Sequence, residues 1–109
     1  MCEQIQLSKT KNGQIFSCDT CDGKICLMYK NIVQGLVLND FYKLKNVIDT
    51  IDIEEFFLKY QGEKRLSIRT SFADLFFAFD ASELYELREL MLYADLKIKL
   101  YESIKNNKN

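Results

Sequence analysis

The sequence predicts an α+β fold: antiparallel β-hairpins in a meander, packed by two main α-helices, the longer at the C-terminal end. Three observations predict it. Alternating stretches meet at turn sequences in the first third, an apolar three-and-four spacing runs through the last quarter, and 109 residues with 48% apolar content can fill one core. The expected organisation is a single domain, 1–109, with a Cys-containing β region at 1–38, a helical segment at 39–61, a β-hairpin at 64–80 and a C-terminal helix at 81–105.

Each element has its own signal. Gln4-Ile5-Gln6-Leu7 alternates, Lys11-Asn12-Gly13 supplies a turn with the positive φ that Asn-Gly accepts, and Gln14-Ile15-Phe16 resumes. Ile25 to Tyr29 and Ile32 to Leu38, joined at Lys30-Asn31, form a second hairpin, with Gly35 read as a bulge. Asn39 is the expected N-cap of a helix over 40–50, whose apolar face is Phe41, Leu44, Val47 and Ile48. Asp49, Asp52, Glu54 and Glu55 crowd the next stretch, where the start of a short amphipathic helix outweighs a metal or acid–base reading.

After the break at Gly62, Arg65 to Arg69 alternates, and Leu75 to Phe79 is apolar on both faces, as in a strand covered on each side. Ser71 with Asp74 has capping-box spacing, so a helix over 72–79 stays open as the alternative. The final helix carries a capping box at Asp80 and Glu83, with Ser82 as a competing cap. Its packing seam is Leu84, Leu87, Met91, Ala94, Ile98 and Tyr101. Glu83, Glu86 and Glu89 near its start and Lys97, Lys99 and Lys105 near its end suit the helix dipole.

Composition narrows function. With no His, the chain lacks the usual general base and metal-binding imidazole, so no His-based triad, dyad or zinc site can form within it. A formal net charge of -1, with both signs mixed along the chain, carries no global nucleic-acid footprint. The opening residues show no secretory h-region and no apolar run reaches membrane-spanning length, so the expected location is cytoplasmic, with no membrane partner. In such a reducing compartment four cysteines read as thiols or metal ligands before a disulfide framework.

Cys18-Asp19-Thr20-Cys21-Asp22-Gly23 is the one motif with chemical content, since two thiols three residues apart on a turn can face one tetrahedral metal. The first hairpin would return Cys2 to their side, and Cys26 is the candidate fourth ligand unless it points into the core beside Met28. The metal set is therefore Cys2, Cys18, Cys21 and Cys26, holding structural zinc. Ordinary reduced thiols and a redox or disulfide role remain open, redox catalysis ranking last because flanking acids and a following strand favour protonated thiols.

The order Cys2, Asn12-Gly13, Cys18-x2-Cys21, strand, amphipathic helix and then Phe79-Asp80-Ala81-Ser82-Glu83-Leu84 resembles a small bacterial family of uncharacterised domains. The resemblance implies that Cys2, Cys18 and Cys21 act as a set, and it brings no activity. The function expected is therefore a small non-catalytic structural or protein-interaction domain. Leu92, Leu96 and Leu100 lie on a second side of the last helix, which suggests a protein partner or self-association unless two core layers cover both stripes. The alternative is a zinc-ribbon-like nucleic-acid module using Lys9, Lys11, Lys24 and Lys30 with Tyr29 or Phe16 for stacking. A thiol oxidoreductase, or a hydrolase built on the acids of 49–55, lacks a supporting constellation.

Overall fold

A computed structural model describes residues 4–18, 24–70 and 72–106. Four strands, β1 (Gln4–Lys9), β2 (Gly13–Cys18), β3 (Ile25–Tyr29) and β4 (Ile32–Leu36), form an antiparallel meander in sequence order. The helices are α1 (Leu38–Thr50), α2 (Ile53–Lys59) and α3 (Ala81–Asn106), and β5 (Leu66–Arg69) pairs with β6 (Phe76–Phe79) as a separate hairpin. The fold is the α+β arrangement the sequence predicts. Its 26-residue α3 accounts for the elongated shape, 55 × 25 × 25 Å.

The alternation of the strands decides which face α3 covers. Ile15, Ile25, Leu27 and Tyr29 are buried and point one way, while Phe16, Cys26, Met28 and Val33 point the other and are half-buried or exposed. Against the buried face lie Leu84, Leu87, Leu90, Met91 and Ala94 of α3, all at most 1% exposed. Phe41 and Ile48 of α1, Ile53 of α2, and Leu66, Ile68 and Phe79 of the small hairpin complete the same core.

Several local expectations are corrected. Neither Asn12 nor Gly13 takes a positive φ; that conformation falls instead on Lys30 in the second hairpin, at 52°. Gly13 is needed for closeness, because a Cβ there would stand 2.7 Å from the Met28 carbonyl oxygen and 2.8 Å from Tyr29 Cδ1. Gly35 is no bulge but pairs in register with Cys26. The irregularity lies in β1 between Gln6 and Ser8, and it turns both Leu7 and Ser8 inward. There the buried Ser8 hydroxyl donates to the Leu90 carbonyl at 2.7 Å and ties the strand to α3.

Helix starts differ too. Val37 precedes α1 without a side-chain cap, so Asn39 is a helical residue rather than the cap, and Val47 is exposed. Asp52 caps α2 by accepting the Glu55 N–H at 3.0 Å, and Asp49 pairs with Lys45 at 2.5 Å, which absorbs half of the acidic stretch into local structure. Residues 76–79 are strand, not helix, and only one face of it is covered: Phe79 is buried while Phe76 is about half exposed. The capping reading of Ser71 lies outside the described residues.

At α3 the capping box forms as expected. Asp80 Oδ1 accepts the Glu83 N–H and Glu83 Oε1 accepts the Asp80 N–H, both at 2.8 Å. Ser82 donates to Asp80 at 2.9 Å instead of capping. The predicted seam is buried from Leu84 to Ile98, but Tyr101 is exposed, at the rim of an open cleft it shares with Leu7, Ser17 and Ile25.

Candidate functional site

Of the cysteine candidates the structure describes two, Cys18 on β2 and Cys26 on β3. Cys18 is buried at the close of β2, opposite Gln4 of β1, and its N–H donates to the Lys24 carbonyl at 3.1 Å. Its sulfur is in a disulfide, and Cys2 and Cys21 lie outside the described residues. Cys26 is a free, half-buried thiol on β3. It shares a face with Met28 as expected, but that face is the open one and not the core, since Ile25, Leu27 and Tyr29 take the buried positions.

Register fixes the relation between the two described cysteines. Cys26 pairs directly with Phe16, two residues before Cys18, so the pair share a face as diagonal neighbours, a spacing of roughly 7–8 Å. Burial pushes the Cys26 thiol above its usual range, which keeps it protonated and a poor nucleophile. Among the described residues no three Cys, Asp or Glu side chains converge into a metal-holding group.

The second feature is the outward face of α3. Leu92, Leu96 and Leu100 are 46%, 53% and 56% exposed, and Tyr85, Tyr93 and Ile104 lie open on the same helix. Their positions follow from the helical repeat: the core takes the side carrying Leu84, Leu87, Met91 and Ala94, and about half a turn away come Tyr85, Leu92 and Leu96. The two-layer alternative therefore fails, for the sheet and α1 approach α3 from its inner side and leave the outer stripe open.

A family model, DUF6686, described as a family of unknown function, matches residues 1–108. The chain belongs to this family. No curated protein and no solved structure matches the chain.

What sequence reasoning missed in this DUF6686 chain is a set of polar ties along the flanks of α3. Glu86 accepts from the Asn12 backbone N–H at 2.9 Å, from Asn12 Nδ2 at 2.8 Å and from the Tyr29 hydroxyl at 2.8 Å. Burial disfavours its charge, but these donors and the neighbouring Thr10 hydroxyl outweigh that and hold the carboxyl down to about 2. Tyr29 is correspondingly pushed up, by burial first and by Glu86 next. Buried and bonded, Tyr29 offers no stacking surface to a nucleic-acid base, and Lys30 is drawn to Glu83 at 2.8 Å.

On the other flank of α3, Arg88 donates through Nε to the Ile48 carbonyl at 3.1 Å and through Nη2 to those of Asp49 and Ile51. A cation from a distant helix thus caps α1, whose own last turn holds no basic residue. Two turns further, the buried Asp95 accepts the Tyr42 hydroxyl at 2.7 Å and meets Lys99 at 3.1 Å. A single Glu or Arg on a helix face carries no sequence mark of so distant a partner. These groups are satisfied by one another, so they organise the fold rather than present a reacting centre.

Proposed function

We propose that this chain is a small non-catalytic protein-interaction domain that docks a partner along the outward face of α3. The observation that carries it is that stripe: Leu92, Tyr93, Leu96 and Leu100 each expose about half of their surface on one side of one helix. Other large apolar groups such as Val33 and Leu58 are exposed singly, whereas these four are contiguous on one helix face, the kind of surface that a partner covers. A photo-crosslinking residue at position 96, with Lys43 on α1 as the exposed control, tests the reading in cells. A discrete adduct at 96 and none at 43 supports it; no adduct at 96 overturns it.

The N-terminal sheet end is proposed to be held by structural zinc through Cys2, Cys18 and Cys21, with Cys26 as the fourth thiol. Support comes from Cys18 and Cys26, which share one face of the sheet as diagonal neighbours; the disulfide at Cys18 would have to be reduced before its thiolate could bind. Protein purified under reducing conditions without added metal or chelator should carry one zinc, with thiols released only on its removal. Metal-free protein, with its thiols titrating freely or with the Cys18 disulfide reforming in place of a metal, would end this part of the reading and leave the α3 face untouched.

A further inference from the structure

We infer that the partner on α3 is a second copy of this chain, packed antiparallel helix to helix about a two-fold axis near residue 94. This rests on the docking role of the α3 face and adds who occupies it. The outward residues fall into two seven-residue series, Tyr85, Leu92, Lys99 and Glu89, Leu96, Ser103, the spacing of a coiled-coil seam.

In an antiparallel pair each member of one series faces a member of the other, and opposite residues have a constant sum of positions. Centring the axis at 94 sets Leu92 against Leu96 of the second copy, and symmetry repeats that contact. The same register brings Glu89 against Lys99 of the second copy, twice, and Tyr85 against Ser103. One displacement thus satisfies the apolar and the charged positions together. A parallel arrangement would instead set Glu89 on Glu89 and Lys99 on Lys99, which repels at both ends.

Neither charge is fully committed within the protomer. Glu89 is exposed and enters no ion pair among the described residues, while Lys99 keeps 64% of its side chain exposed beside Asp95 and has ammonium donors to spare. The approach is open around Leu92 and Leu96, since Ser8 and Asn12 hold one flank of α3 and Arg88 and Asp95 the other, while Tyr85 at the end of the seam borders a cleft with Thr50, Ile51 and Ile53.

Sedimentation of the full chain over about 1–300 μM should show a monomer–dimer equilibrium. E89K should weaken it at least about ten-fold, as should K99E, whereas an equimolar mixture of the two should restore a dimer containing one of each. Because K99E also removes the partner of Asp95, circular dichroism checks its fold, and recovery in the mixture cannot come from an unfolded chain. A monomer throughout the range, or a dimer indifferent to E89K, overturns the inference. An adduct at position 96 that holds a different protein would reject self-pairing and keep the docking role, while no adduct would reject both.

Discussion

Replacing Glu86 by Gln tests whether one carboxylate fastens the first hairpin to α3. The wild-type carboxylate takes three hydrogen bonds, at 2.9, 2.8 and 2.8 Å, from Asn12 and Tyr29. The substitution converts charge-assisted bonds to neutral ones and leaves at least one donor facing an amide N–H. The same quantity follows from linkage. A carboxyl held at about 2, against an ordinary 4.5, contributes stability that is complete above pH 4.5 and is lost as pH falls from there through 2.

Taken in full, that shift is about 3 kcal/mol. The side chain is only partly shielded from water, and discounting for screening leaves about 2 kcal/mol. Urea unfolding of E86Q and wild type at pH 7 should therefore differ by about 2 kcal/mol, with a melting temperature lower by about 8–15 °C. Repeated at pH 5, 3.5 and 2.5, the gap should be nearly full at 5, clearly smaller at 3.5 and down to about a quarter at the lowest value. An equal gap at pH 7 and pH 2.5, or none at pH 7, would refute the reasoning, because either result removes the ionised carboxylate as the cause.

Three further substitutions separate the roles of neighbouring groups. Gly13→Ala should cost about 1–3 kcal/mol in chemical unfolding, since its methyl would meet Met28 backbone and the Tyr29 ring at under 3 Å. Arg88→Ala should cost about 2 kcal/mol and speed amide exchange in the last turn of α1, where it leaves carbonyls of Ile48, Asp49 and Ile51 without their donor. On α3, Leu87→Ala should cost about 2–5 kcal/mol, whereas Leu96→Gln should stay within about 0.5 kcal/mol at concentrations below dimerisation. A large loss at Leu96 in dilute protein would mean that the outer stripe belongs to the core.

The parts of the fold legible in the sequence are those whose signal is local. Alternation marked the four sheet strands, a carboxylate at Asp80 with Glu83 three residues on marked the start of α3, and the inward seam from Leu84 to Ile98 followed from its spacing. What escaped depends on distant partners. Asn12-Gly13 suggested a positive φ, yet the glycine is demanded by the strand beside it. The inward turn of both Leu7 and Ser8 comes from a bulge set by the pairing with β2 and by the reach to Leu90. For the candidate site, the second apolar stripe on α3 was readable, but its exposure was not, because spacing alone cannot say how many layers surround a helix.

The exposed stripe and the polar ties of α3 explain one another. Glu86 and Leu90 hold the first hairpin, at its turn and at β1, and Arg88 and Asp95 hold α1, at its end and at Tyr42. These attachments lie on the inner side and flanks, and they fix the rotation of α3 about its own axis. A helix with apolar residues on both faces could otherwise exchange one leucine row for the other at little cost, since both are similarly hydrophobic. Moving Leu92 and Leu96 inward would strip the acceptor from Tyr29, the cap from α1 and the partner from Tyr42 at once. The polar contacts thus decide which row is core and which remains outside, so that an apolar surface suited to a partner can be carried by a helix that also builds the core.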